Sequence, residues 1–253
     1  MAGSDRDDIL AAGAITAGYG GSAVLQDVQI AVRRGGITGI IGPNGCGKST
    51  LLKVLVGYLR PAGGHVWFDG MDITRLAPED RIGRGIAYIA QSRSTFASQT
   101  VEENLRLGAY LVRDAKLRTE RQAAVLRRFP ALGERRRQVA GMLSGGEARM
   151  LEIGRMLMMA PTLAILDEPS IGLSPRLTDS VYDQIRVLRE EGITFLIVEQ
   201  NVRKLLAVAD YVFALESGRN RLAGTPAELS REGVLASLYL GHTAAGPGHA
   251  PGA

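Results

Sequence analysis

The segment GPNGCGKST, Gly42 to Thr50, fits the pattern G-x-x-x-x-G-K-[ST], and each fixed position has a chemical reason. Glycines let the chain curl so that successive backbone N–H groups face inward and cradle phosphate oxygens, at a helix N-terminus whose dipole favours negative charge. Lys48 then reaches the β- and γ-phosphates, and the Ser49 hydroxyl ligates Mg²⁺. Gly42, Pro43, Asn44, Gly45, Cys46, Gly47, Lys48, Ser49 and Thr50 are therefore candidate contacts to ATP. An ordinary Gly-rich turn between strand and helix would need neither the lysine nor the hydroxyl. Cys46 lies at a helix start beside Lys48, where a thiolate is electrostatically favoured; the plainer reading, a small residue that fits the loop, outweighs it. The thiolate reading carries an expectation: a thiol reagent inactivates the protein and MgATP protects it.

Carboxylates come next. The apolar run TLAIL ends in Asp167 and Glu168, followed by Pro169. A buried parallel strand delivers side chains at its C-terminal end, the edge where an open α/β sheet binds ligands. Asp167 is expected to hold Mg²⁺ through water and Glu168 to polarise the water attacking the γ-phosphate. Two adjacent acids could merely cap the following helix, but the loop at Gly42 to Thr50 weighs against that. A third apolar run, TFLIV, ends in Glu199 and Gln200, which become candidates for sensing the γ-phosphate.

The elements that must position these groups follow from the rest of the chain. Its 253 residues allow one large domain or two sharing a core, and a 45% hydrophobic and 22% charged composition is that of a folded globular chain. Short β-like runs (ITGIIG, HVWFDG, GIAYIAQ, LAILDEP, TFLIVEQ, YVFALESG) alternate with helical patterns, which predicts an α/β fold with a largely parallel sheet. In STLLKVLVGYL, Leu52, Leu55, Val56 and Leu59 mark one face of a helix starting at Ser49. Between Gln91 and Met159 strand signals nearly vanish, and VEENLRLGAYLVRDAKLRTERQAAVLRRF and EARMLEIGRMLMM read as long helices: an all-helical insertion.

Cys46 is the only cysteine and MAGSDRDDIL places acids where a signal peptide carries positive charge, so a reducing cytosol is expected. No apolar run approaches the roughly 18 residues needed to cross a bilayer, so any membrane role is peripheral. The net charge of +4 is modest, but Arg113 to Arg137 holds nine basic residues against three acidic. Nucleic-acid binding would want aromatics among those charges, and Phe129 is the only one there, so a solvated helical face is favoured and no nucleic-acid partner is expected.

The segment MLSGGEARMLEIGRMLMMAPTLAILDEPSIGLSP resembles the signature and second acidic strand of ATP-binding cassette (ABC) proteins, with LSGGE, Leu143 to Glu147, standing where that family has LSGGQ. GPNGCGKST, Gln91 as the family's Q-loop glutamine and Tyr19 in GYGG as its adenine-stacking aromatic extend the resemblance from about residue 9 to 240. TVEENL, IGLSP and VEQNVRKLLAVADYVFALESG look most like the F-component ATPases of branched-chain amino acid importers, to which urea-type importers are similar.

The resemblance implies a P-loop NTPase core with an antiparallel β subdomain and a helical subdomain. The segments would be 1–8 flexible, 9–91 core with β subdomain, 92–156 helical, 157–240 core continued and 241–253 a disordered tail. It also implies ATP and Mg²⁺ as ligands, with Ser49, Gln91 and Asp167 around the metal and Glu168, Gln200 and Gln91 in catalysis. Ser144, Gly145 and Gly146 would meet the γ-phosphate held by Lys48 of a second cassette in a head-to-tail pair. Separate permeases and, indirectly, an external solute-binding protein complete the expected importer at the cytoplasmic face of the membrane.

The chain departs from the wider family at three places. Gln200 stands where most members carry histidine, Glu147 replaces glutamine, and in the loop after Pro169 SIGL places Leu173 where the wider family has an aspartate. A soluble ABC ATPase is the alternative from another class, though the chain shows no coiled-coil arm or second cassette. A nucleotide kinase or GTPase would leave LSGGE, Gln91 and LAILDEPS without roles.

Overall fold

A computed structural model describes residues 7–92 and 94–230. The expected tail at 241–253, and all but the end of the expected flexible N-terminus, lie outside those residues. Asp8, placed in that flexible segment by sequence, already begins a strand.

The elements in chain order are β1 (Asp8–Tyr19), β2 (Ser22–Arg33), β3 (Ile37–Ile41), α1 (Lys48–Val56), β4 (Gly63–Phe68), β5 (Met71–Asp72), α2 (Pro78–Gly83) and β6 (Ile86–Ile89). Then come α3 (Val101–Gly108), α4 (Ala115–Arg128), α5 (Pro130–Glu134), α6 (Gly145–Leu157), β7 (Leu163–Asp167) and α7 (Pro175–Glu190). Last are β8 (Thr194–Val198), α8 (Val202–Leu206), β9 (Tyr211–Glu216), β10 (Arg219–Gly224) and α9 (Pro226–Leu229). Among the described residues they form a four-stranded antiparallel sheet, β2-β1-β4-β5, and a six-stranded sheet ordered β10-β9-β3-β8-β7-β6. The strands from β9 to β6 run parallel and β10 is antiparallel. This is the mixed α/β architecture expected from the sequence.

The parallel strands β3, β7 and β8 are buried along their whole length, as their unbroken apolar runs require. Alternation then sorts their side chains into two cores. Ile40, Ile165 and Leu196 join the antiparallel sheet and α1, while Ile41, Leu166 and Ile197 pack under α3, α6 and α7. Both cores therefore clamp the strands that end at the candidate residues.

The helical insertion is real but more broken than its pattern. The stretch read as one long helix divides into α3 and α4. At Gly108 an added Cβ would lie 2.7 Å from the Arg155 carbonyl, so α3 crosses α6 too closely for a larger residue. Asp114 then starts α4 by accepting from the N–H groups of Lys116 (2.8 Å) and Leu117 (3.3 Å). In the basic stretch Arg128 pairs with Glu191, Arg135 with Glu134 and Glu147, and Arg121 donates to the Met158 carbonyl. Phe129 is buried in the core.

Candidate functional site

The order β3-β8-β7 sets the site. β3 runs into the glycine-rich loop, β7 ends at Asp167, and β8 between them ends beside Glu199 and Gln200. Three loops from adjacent parallel strands thus meet at one sheet edge.

In the first loop Gly42, Gly45 and Gly47 have φ of 151°, 79° and 108°, backbone that side chains other than glycine rarely adopt. Gly47 is the N-cap of α1 and no side chain caps that helix, so its first-turn N–H groups are left for an anion. The helix begins at Lys48, one residue before the expected start. Lys48 is buried and donates to the carbonyls of Gly42 (2.7 Å) and Pro43 (3.0 Å), which aims its ammonium along the loop. Asn44, Gly45 and Ser49 are exposed at the rim; Thr50 is buried beneath it. Tyr19, 48% exposed at the end of β1, accepts from the Lys53 ammonium of α1 at 3.2 Å, and that ammonium also lies over the ring, 5.4 Å from its centroid, beside the phosphate helix.

Cys46 corrects the thiolate expectation. It is only 5% exposed, and burial raises its thiol pKa above the ordinary value against the opposing pull of Lys48. At this position desolvation outweighs the nearby charge, so the thiol stays protonated and sheltered.

Glu168 is the centre of the second loop. It is 6% exposed and holds a left-handed φ of 48°, a conformation that costs a residue with a side chain about 1 kcal/mol or more. Its N–H donates to the Val198 carbonyl at 2.8 Å. The Gln91 amide donates to Oε2 at 2.7 Å and the Gln200 amide to Oε1 at 2.8 Å, so the two glutamines grip one carboxylate from opposite sides. Asp167 beside it accepts from the Tyr88 hydroxyl at 3.4 Å. Burial first, and then the Glu168 charge, push the Asp167 carboxyl above the ordinary carboxylate range, while Lys48 pulls the other way.

The donors present suit Mg²⁺. Ser49 offers a hydroxyl and Asp167 a carboxylate, while Gln91 spends its amide nitrogen on Glu168 and its oxygen has no hydrogen-bond partner among the described residues. All are hard oxygen ligands of the kind that ion takes.

Glu199 was expected to reach the same edge as Gln200. It turns inward instead, 2% exposed, and accepts from the Tyr182 hydroxyl at 2.9 Å. Sequence reasoning also missed Tyr88, Tyr182 and Arg81, which bond to residues outside their own strand or helix.

The signature residues stand apart. Ser144 is the exposed N-cap of α6 and accepts from the Glu147 N–H at 3.4 Å, while Glu147 accepts from the Ser144 N–H at 2.9 Å. The glutamate that replaces glutamine here completes a capping box. Leu177 of α7 lies so close to Gly146 that an added Cβ would approach it to 2.6 Å. Gly145 and Gln91 share the lining of a cavity of about 210 Å³, but among the described residues no hydrogen bond joins Ser144, Gly145 or Gly146 to the phosphate loop.

Comparison with known proteins agrees with this arrangement. A family profile described as ABC transporter matches residues 25–171. The high-affinity branched-chain amino acid transport ATP-binding protein BraG of Pseudomonas aeruginosa is 40% identical over 223 residues, covering 88% of this chain and 95% of that protein. The lipopolysaccharide export system ATP-binding protein LptB of Acidithiobacillus ferridurans is 34% identical over 235 residues, covering 92% of this chain and 97% of LptB. Among solved structures, the ADP conformation of MJ1267, an ATP-binding cassette of an ABC transporter, superposes with a TM-score of 0.83 at 31% identity, covering 93% of this chain and 99% of MJ1267.

Proposed function

From the premise that this chain belongs to the ABC transporter family of ATP-binding cassettes, and is an ATPase, we propose that it energises uptake of amino acids of the branched-chain type through separate permease subunits. The observation that carries the hydrolytic part is the buried Glu168 held by Gln91 and Gln200 opposite the phosphate loop. Glu168 takes a proton from the attacking water as its oxygen bonds to the γ-phosphorus and the bond to the β-phosphate breaks. Gln200 donates to the γ-phosphate without carrying charge, as an amide can. Lys48 and the free N–H groups of α1 bind the phosphates, and Tyr19 stacks on the base. Ser49, Asp167 and Gln91 hold Mg²⁺, which when bound offsets the negative charge of the phosphates.

Ser144, Gly145 and Gly146 act on the nucleotide of a second cassette, in a homo- or heterodimer: Ser144 is exposed, Gly145 is half-buried beside it, and among the described residues none of the three shares a hydrogen bond with its own phosphate loop. No helix among the described residues is long and apolar enough to cross a membrane. The chain works at the cytoplasmic face of the membrane, docked to permeases through the groove between β6, α3 and α6. That cavity, about 350 Å³, is lined by Phe96, Leu107, Tyr110 and Arg155. The amino acid substrate is supported by the likeness to BraG, while the likeness to LptB supports a second reading, lipid export.

The mechanism is tested with Glu168→Gln. Hydrolysis should fall on the order of 10²- to 10⁴-fold with ATP binding kept, and ATP should trap a dimer visible by light scattering. A variant that stays monomeric in MgATP, even with a partner cassette present, would overturn the head-to-tail arrangement. For the substrate, deletion of the gene should abolish uptake of labelled leucine; unchanged uptake with altered lipid export would favour the second reading.

A further inference from the structure

Glu199 is a buried carboxylate for which hydrolysis, as described, has no use. Its position is unusual in how many loops it touches. Its N–H donates to the Ile40 carbonyl at 3.1 Å, fastening it to the strand that carries the phosphate loop. One side-chain oxygen, Oε2, accepts from the N–H groups of Gln200 (3.1 Å) and Asn201 (3.2 Å). The other, Oε1, accepts from the N–H of Ser170 (3.2 Å) and the hydroxyl of Tyr182 on α7 (2.9 Å). A carboxylate can accept about four hydrogen bonds, and this one accepts four.

We infer that Glu199 is a positioning residue that joins the loop bearing Gln200 to the loop following Glu168, with Tyr182 holding it in register. The inference rests on the reading of Glu168 and Gln200 as the hydrolytic pair. Gln200 reaches Glu168 with its amide, yet its backbone is anchored to the same carboxylate that anchors Ser170, two residues beyond Glu168. Neither loop can swing without pulling on the other. The bonds to charged acceptors are strong ones, and the site is nearly dry: Glu199 and Tyr182 are each 2% exposed. The Tyr182 hydroxyl is held protonated, its pKa raised by burial and then by the Glu199 charge, so it serves as a donor throughout the working pH range.

The chemistry of glutamine makes a sharp test. Glu199→Gln keeps shape and volume but offers one acceptor oxygen and one NH₂ group. Turned either way, its NH₂ faces a backbone N–H: that of Ser170, or those of Gln200 and Asn201. Tyr182 can reverse its hydroxyl to suit, but backbone N–H groups cannot. One of the two loops must come free.

The experiment uses the full chain with Glu199→Gln, Tyr182→Phe, Glu168→Gln and, as a control for mere loosening of α7, Ile185→Val. Steady-state hydrolysis gives kcat and KM, equilibrium binding gives the affinity for MgATP, and hydrogen exchange reads segments 168–173 and 199–203. Glu199→Gln should lower kcat by roughly tenfold or more, as expected for misplaced catalytic groups, with KM and ATP affinity held within about twofold. Exchange should quicken in one of the two segments. Tyr182→Phe should move kcat the same way by less, and Ile185→Val should leave it unchanged.

Wild-type kcat in a folded Glu199→Gln variant would overturn the inference, as would a fall in kcat matched by an equal loss of ATP binding. If Glu199→Gln does not fold, Tyr182→Phe decides: wild-type kcat with unaltered exchange overturns the proposal. A Glu168→Gln variant that hydrolyses at the wild-type rate would instead bring down the reading of the site, and the inference with it.

Discussion

The phosphate loop and the signature are both built on a helix N-terminus, and they are finished in opposite ways. Gly47 begins α1 with no side-chain cap, so its N–H groups wait for an anion, and the Lys48 ammonium lies buried against the loop. Ser144 begins α6 with its hydroxyl and N–H already exchanged with Glu147, so that helix is complete on its own. What remains on offer at the signature is the N–H groups of Gly145 and Gly146, beside a hydroxyl that already serves Glu147. The first half-site is assembled from three strand ends within one chain. The second is a tip with its N-cap serine exposed, which on the head-to-tail pairing proposed above meets another cassette's nucleotide, and on that reading the two can be broken separately.

The largest separation comes from Ser144→Arg. A bulky cation at the tip blocks approach to the partner's nucleotide, and hydrolysis should drop on the order of 10²- to 10³-fold, the range for losing a donor to transition-state charge. ATP affinity of the isolated chain should stay as in wild type, because the phosphate loop makes no bond to this tip. Parallel hydrolysis and binding titrations check it; full hydrolysis, or a joint loss of binding, would erase the distinction between the halves.

The second break acts on stability. The far end of α1 is fastened by Arg81, 1% exposed, which donates to the carbonyls of Val54 and Leu55 at the helix C-terminus and to those of Ile73, Thr74 and Leu76. No carboxylate shares in these bonds, and burial lowers its pKa to about 10. Arg81→Leu would strand several buried carbonyls and should destabilise the fold by about 3 kcal/mol. Urea unfolding measures this; a loss under about 1 kcal/mol would mean that water replaces the guanidinium. Neither outcome involves α6, so the signature should keep its geometry.

These residues also show where sequence reading stops. Gly42 to Thr50, Asp167, Glu168 and Gln200 were legible because each sits at the end of an apolar run, and a parallel sheet brings such ends to one edge. β1 and β2 were not read from their residues. Their pairing carries register shifts, and the positive φ of Ala14 and Asp27 interrupts the period-two alternation that marks a strand. Arg81 and Tyr182 serve carbonyls and a carboxylate on other elements, and such pairings leave no local pattern. At Cys46 the plainer reading, a small residue that fits the loop, holds over the thiolate one: spacing shows that Lys48 is near, but only packing tells how much water is excluded, and at that thiol exclusion wins. The inward turn of Glu199 beside Gln200 is the strand's own alternation continued past its end, a signal present in the sequence.

The smallest break sharpens the account of the signature half. Glu147 has its carboxyl held below the ordinary glutamate range, first by the Ser144 N–H and then by the Ser144 hydroxyl, with Arg135 adding a favourable charge. A folded-state pKa below the unfolded one contributes stability that is whole above the unfolded value, near pH 4.3, and is lost as pH falls through the folded value. Glu147→Gln keeps an oxygen for the Ser144 N–H but has no charge to lose. At neutral pH it should cost less than about 1 kcal/mol, the scale of a cap and a helix-dipole charge. The gap between wild type and variant should then close as pH falls below the unfolded value, as protonation removes the charge from the wild type as well. Thermal unfolding of both proteins across that range measures it. A gap that stayed constant into acid would assign the contribution of Glu147 to shape alone, and the signature helix would then be capped by geometry without help from charge.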